Sequence, residues 1–262
     1  LAAAGGSVVS NSIGGTTSAY IGDYTDIGGT VGNVSISAQT TVDVSSSAYG
    51  LSGGILSGGV NSADATVGTA VDAHIGDADV HVAGAVGVAA GATITAETDA
   101  FGLSVGGLAI GASLSDIEIS SAVSAYVEGD ADITAASLSV QSSATADANA
   151  YANASGGGVL AGNGADVDAV VTPVIQAFVE DGAIIAVSGL LSVTSASTGK
   201  AKAKGEGITA GIAGVGVILA DAELSPEIST YIGSGADVTA GSIELRSRHN
   251  VNVDGSLVDQ GA

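Results

Sequence analysis

An all-β fold made of stacked copies of one unit is what this sequence predicts, and three observations carry the prediction. A short pattern recurs as "SAYIGD" at 18, "DAHIGD" at 72, "SAYVEGD" at 124, "QAFVEDG" at 176 and "STYIGSG" at 229. Its ring-bearing position falls at Tyr20, His74, Tyr126, Phe178 and Tyr231, so successive differences are 54, 52, 52 and 53, a regularity that marks a repeat architecture. Between these anchors apolar and polar residues alternate with period two, rich in Val, Ile and Thr, and helical periodicity nowhere competes. The third observation is composition: 41 glycines, 2 phenylalanines and no tryptophan, methionine or cysteine leave an interior of Ala, Val, Ile and Leu, which packs only if sheets lie unusually close together.

Each unit follows one order. A strand ends at the anchor, and a turn with Gly and Asp comes next ("GDYTD", "GDAD", "GDAD", "EDGA", "GSGAD"), as these residues accept tight backbone geometry. A second alternating stretch and a long third one follow, as in "LSVQSSATADANAYA". A glycine-rich segment such as "LSVGGLAIGAS" or "ASGGGVLAGNG" then leads to the next anchor, and glycine in strand context predicts close approach of another layer. Parity places Val123, Ala125 and Val127 inward against Ser124, Tyr126 and Glu128 outward. In the long stretch, Leu138, Val140, Ala144, Ala146, Ala148 and Ala150 point in, against Gln141, Thr145, Asp147, Asn149 and Tyr151 pointing out. Pro173 and Pro226 each stand five residues before their anchors. Proline cannot donate to a ladder, so this position predicts a corner or strand start in every unit, where the other three carry Gly15, Thr69 and Ser121.

The expectation is therefore a repetitive β-solenoid of about five units of ~53 residues, one continuous array over 1–262 with incomplete terminal units. Each period holds one wide coil or two to three ordinary ones. Stacked antiparallel β-hairpin layers would give the same alternation and stand as the alternative. The chain opens on Leu1, which suggests a fragment or a processed chain.

Charge narrows the function classes. Five Lys and Arg against 27 Asp and Glu give a formal net charge of -22, and all the cations lie after residue 199. Such a field repels phosphate backbones and anionic lipid, and no stretch is long and apolar enough for a membrane helix, so neither nucleic acid nor membrane insertion is expected. The lack of Cys excludes disulfides and thiol chemistry. With three histidines, His74, His81 and His249, none at motif spacing from a nucleophile, and carboxylates dispersed over a repeated surface, no enzyme is expected.

Four constellations remain. Asp23, Asp77 and Asp181 follow their anchors by three residues and Asp130 by four. Stacked, they would approach a column able to recruit calcium, or they simply cap turns. "GNGADVDAV" at 162–170 echoes a calcium-binding β-roll nonapeptide but occurs once. Two ring ladders, Tyr20/His74/Tyr126/Phe178/Tyr231 and Tyr49/Phe101/Tyr151, lie on outward parity, either as structural stacks or as a surface for glycans. Lys200, Lys202 and Lys204 share one face, as do Arg246 and Arg248, for docking on a neighbouring copy or as a solvated face. The glycine runs are not phosphate loops, since none precedes a helix or contains Gly-Lys-Ser/Thr.

The units "AYVEGDADITAASLSV" from 125 and "TYIGSGADVTAGSIEL" from 230, with the "ATADANAYANASGGG" stretch after the first, resemble the repetitive passenger regions of large bacterial surface adhesins, filamentous-haemagglutinin-like and autotransporter-type. The likeness is one of low-complexity pattern and spans essentially the whole chain. It implies an extracellular, cell-surface stalk, fibre or sheath that associates with itself, end to end or laterally, or with further repeats of a longer chain. A calcium- or glycan-binding cell-surface module is the alternative. The acidic, lysine-poor composition departs from the resemblance.

Overall fold

The computed structural model describes residues 2–29 and 31–258. Among them there is no helix, and thirteen strands form one large parallel sheet that is not closed. In chain order these are β1 (Ala2–Ile21), β2 (Asp26–Ile27), β3 (Val34–Ile75), β4 (Asp79–His81), β5 (Ala85–Ile119), β6 (Ala122–Val127), β7 (Asp132–Ala135), β8 (Ser137–Val171), β9 (Val174–Val179), β10 (Ile184–Glu206), β11 (Thr209–Leu224), β12 (Glu227–Ile232) and β13 (Asp237–His249). The architecture is consistent with a β-solenoid. Every ladder between these strands is parallel, so the antiparallel-hairpin alternative is not the arrangement observed. Parallel pairing needs a long return path between partners, and here that path is one full period of chain.

Register makes this concrete. Ala2 pairs with Leu56, Val34 with Val86, Val86 with Leu138, Leu138 with Leu191 and Leu191 with Ile243. The offsets, 54, 52, 52, 53 and 52, equal the period, so each layer is one wide coil and not two or three narrow ones.

Within a coil the chain runs out and back. Ser46 Oγ donates to the Asp64 carbonyl at 2.9 Å, Thr98 and Ser115 share a hydrogen bond at 2.6 Å, and Ser195 Oγ donates to the Ser229 carbonyl at 2.7 Å. These bonds join two walls that meet at a glycine-rich margin and, half a coil later, at the turn after the anchor. Each wall is roughly 26 residues, up to about 85 Å of extended chain at ~3.3 Å per residue, while layers rise only ~4.8 Å each. The result is a thin slab, wider than it is tall.

The predicted parity holds: Val123, Ala125, Val127, Leu138, Val140, Ala144, Ala146, Ala148 and Ala150 are all buried. The core is not methyl-lined throughout. Towards the anchor margin it holds Ile75, Ile133, Ile175 and Ile185. Towards the glycine margin the buried positions include the polar Ser57, Asn61, Ser104, Ser113 and Asn163 beside the small Ala109 and Ala161, while Leu51, Leu56, Val105, Leu108, Ile110 and Leu160 face outward and exposed. Gly54, Gly106, Gly158 and Gly211 stack in the bend itself. A Cβ on Gly106, Gly158 or Gly211 would come within 2.2 Å of the carbonyl oxygen one layer below, which is why a glycine column stands there.

The proline position is a strand break in three coils, at Ser120–Ser121, Thr172–Pro173 and Ser225–Pro226, but the strand runs unbroken through Gly15 and Thr69. The corner expected in every unit is thus absent from the first two, where Gly15 and Thr69 stay in the β1–β3 ladder.

Candidate functional site

The anchors end their strands just before the turn and sit on outward parity, so in-register stacking lays one ring over the next. Tyr20 and His74 are 5.0 Å apart between centroids, His74 and Tyr126 4.8 Å, Tyr126 and Phe178 4.9 Å, and Phe178 and Tyr231 5.0 Å, with interplanar angles of 12° or less. The repeat equals the layer rise, and offset contact of this kind stabilises each pair by about 0.5–1.5 kcal/mol beyond area burial. His74 Nδ1 lies 2.5 Å from Asp72 Oδ1 and its Nε2 lies 3.8 Å from Glu128 Oε1. Burial, then the charge of Asp72, pushes the Tyr126 phenol well above its ordinary range. Burial also raises the Glu128 carboxyl, against the opposing pull of His74, and raises Tyr231, where Glu180 and Asp181 add to it. The polar partners of His74 are both carboxylates. His81 Nε2 lies 3.3 Å from Asp132 Oδ1.

The second ladder is broken. Tyr49 and Phe101 are register partners, with centroids 6.5 Å apart and tilted at 41°. Tyr151, however, pairs with Asp99, and Asn153 pairs with Phe101. Its spacing of 50 falls two residues short of the local register, so it cannot stack. Instead Tyr151 donates to Glu206 Oε2 at 2.8 Å, with Lys204 Nζ 5.5 Å from its ring centre.

The four turn aspartates do not form one column. Val127 pairs with Val179 and Asp132 with Ile184, so by count Asp130 lies beside Gly182, and Asp181 beside Gly129. Asp130 occupies the left-handed region at φ 63, as Gly182 and Gly235 do at φ 90 and 79. It forms the turn, while Asp23 and Asp181 bond to the turn of the next layer: Asp23 Oδ1 accepts from the Asp77 backbone at 3.2 Å, and Asp181 Oδ2 accepts from Ser234 Oγ at 3.2 Å. Among the described residues, no group of three or more His, Asp or Glu side chains is placed to hold a metal ion. The 162–170 stretch lies in extended strand within β8.

Two acidic columns were missed in the sequence. Asp64, Asp116, Asp168 and Asp221 are register partners through four coils, and Asp26, Asp79 and Asp132 through three. Burial, then Asp168 and Asp64, raises Asp116; burial, then Asp166 and Asp221, raises Asp168. The signal was available as a spacing of 52, 52 and 53, but Asp64 lies outside any anchor motif. Three of the five cations pair within the chain: Lys200 Nζ reaches Asp147 Oδ2 one layer below at 3.2 Å, Lys204 meets Glu206 at 2.8 Å, and Arg246 pairs with Glu244, while Arg248 Nε is buried without a partner. Lys202 stands over Asn149.

In comparisons with protein-family models, with curated proteins and with solved structures, nothing matches this chain.

Proposed function

We propose that the chain is a non-enzymatic structural segment of an extracellular, cell-surface stalk, fibre or sheath: about five coils of a β-solenoid, lengthened along the stacking axis by further coils of a longer chain or by another copy. The observation that carries this reading is the unbroken file of five rings, repeated at 4.8 to 5.0 Å. A side chain that stacks on its own equivalent in the next layer supports a fold that grows by addition of layers. The adhesin-like pattern of the units supports the location outside the cell. Ring stacking argues against the glycan alternative, because the faces that would receive a sugar are occupied by neighbouring rings. Bound calcium has no support beyond the turn carboxylates described above.

Electron microscopy of the purified chain, with diffraction from aligned material, tests the proposal. Thin slabs or filaments of uniform cross-section with an axial repeat near ~4.8 Å are expected. A compact globule with a single deep cleft would overturn it.

A further inference from the structure

The glycine margin carries an apolar trough that axial stacking leaves uncovered. On its outward face Leu56, Leu108 and Leu160 stand in one column, and the next outward column reads Gly58, Ile110, Gly162, Val215 through four successive coils. Two concavities, one along Leu56, Gly58, Leu108 and Ile110, the other along Leu108, Ile110, Gly162 and Val215, share Leu108 and Ile110 and so form one continuous trough. No charged residue lines it, in a chain of net charge -22.

The second column alternates hole, knob, hole, knob. Reversed, that order becomes knob, hole, knob, hole. A copy related by a two-fold axis perpendicular to the stacking direction therefore sets Ile110 against Gly162 and Val215 against Gly58, twice over, which is the self-complementarity an isologous interface requires. Two copies repel over their acidic surfaces, so an uncharged trough favours their approach. With the next outward column, Val60, Ala112, Gly164 and Val217, three columns about 7 Å apart over the four paired layers of ~4.8 Å present roughly 400 Å² per copy, the size of a weak, reversible interface.

We propose that the glycine margin is a lateral self-association surface, on which a second copy of this chain docks antiparallel by knob-into-hole contact of Ile110 with Gly162 and Val215 with Gly58. The claim concerns slab width and is independent of growth along the axis. A Cβ on Gly162 would meet nothing within 4 Å, so Gly162→Leu fills the hole without disturbing the single chain. In sedimentation velocity over a concentration series, the unsubstituted chain is expected to form a dimer, and Gly162→Leu to weaken it about tenfold or more, equivalent to about 1.4 kcal/mol, with an unchanged thermal midpoint. The double variant Ile110→Gly with Gly162→Leu swaps knob and hole and restores the dimer. Gly87→Leu, at a site equally free of neighbours but on the other wall, leaves it intact. The proposal is overturned if the unsubstituted chain stays monomeric at every concentration, if Gly162→Leu dimerises as the parent does, if the swap fails to rescue, or if the trough instead binds phosphatidylcholine vesicles while the chain remains monomeric.

Discussion

At the anchor margin each coil hides branched aliphatics and turns polar atoms to water; at the glycine margin it does the reverse, hiding Ser57, Asn61, Ser104 and Ser113 and exposing Leu56, Leu108 and Ile110. Both margins share the same register and the same parallel ladders. The backbone network thus tolerates polar groups in the interior. Some of them find partners: Ser104 Oγ donates to the Ile110 carbonyl at 3.2 Å and the Asn163 amide bonds Thr209 Oγ1 at 3.1 Å across the fold-back, and Ser52 bonds Ser104 at 2.9 Å from layer to layer. Ser57 Oγ and Asn61 Oδ1 stay buried without one. Near a bend so tight that only glycine fits, small hydrogen-bonding residues are what the walls can enclose. The displaced apolar residues are left on the outside, where they stabilise nothing within one chain.

The sharpest way to break this comparison is to delete comparable side chains from each margin. Ile133 is fully buried at the anchor end, and Ile133→Ala should cost roughly 2–5 kcal/mol in chemical denaturation, lowering the midpoint of thermal unfolding by on the order of 10 °C. Leu108→Ala, on the exposed face of the glycine margin, should cost well under about 1 kcal/mol in the monomer. Equal losses would mean that the outward leucines belong to a core and that the inversion is illusory.

A second test uses the carboxylates that border the two halves. Asp116 and Asp168 are raised above the ordinary carboxylate range, first by burial and then by their stacked neighbours. A raised folded-state value means that the native chain binds more protons than the unfolded one, so stability falls as pH rises through the folded-state value and is regained on acidification towards the ordinary range. Asp116→Asn removes this penalty at neutral pH. Solvent screening at an exposed strand face holds the gain to about 1 kcal/mol or less, a rise of roughly 2–4 °C or less, and the variant should show a flatter dependence of thermal midpoint on pH between the carboxylate range and neutrality. An unchanged pH profile would show that the column is too well screened to matter.

Much of the architecture could be read in the sequence because stacking copies information from coil to coil. Equal spacing of Tyr20, His74, Tyr126, Phe178 and Tyr231 already states the register, and alternation states which residues are buried. Two kinds of feature escaped. Alignment errors of one or two residues, as at Asp130 and Tyr151, are invisible without the ladder, because spacing within two residues of the period looks like repetition while a side chain reaches only its immediate partner. The inverted polarity of the glycine margin was also hidden: period-two alternation tells that two faces differ but not which faces in, and the Ala-rich half invited the assumption that apolar means inward throughout.

The smallest expected effect lies at the corner between the two halves. Ser120–Ser121 repeats the hydrogen bonding of Thr172–Pro173: Ser120 N donates to the Val67 carbonyl at 2.9 Å as Thr172 N does to Ile119 at 2.8 Å, while the carbonyls of Ser121 and Pro173 accept from Val174 and Glu227 at 2.8 and 2.9 Å. Ser121 Oγ is buried without a partner. Ser121→Pro therefore removes an unsatisfied hydroxyl and restricts the unfolded chain, in a backbone context that already holds proline one and two coils above. The gain should be about 0.5 kcal/mol, or ~1–2 °C in the thermal midpoint. Thr69→Pro, one coil below, lies in an unbroken strand paired with Gly15, where proline's missing N–H and fixed φ make it destabilising by more than that gain. Opposite signs at two positions in one column would show that the break within this wall is built coil by coil; a loss at both would mean that the break is set by the prolines above and is merely propagated to Ser121.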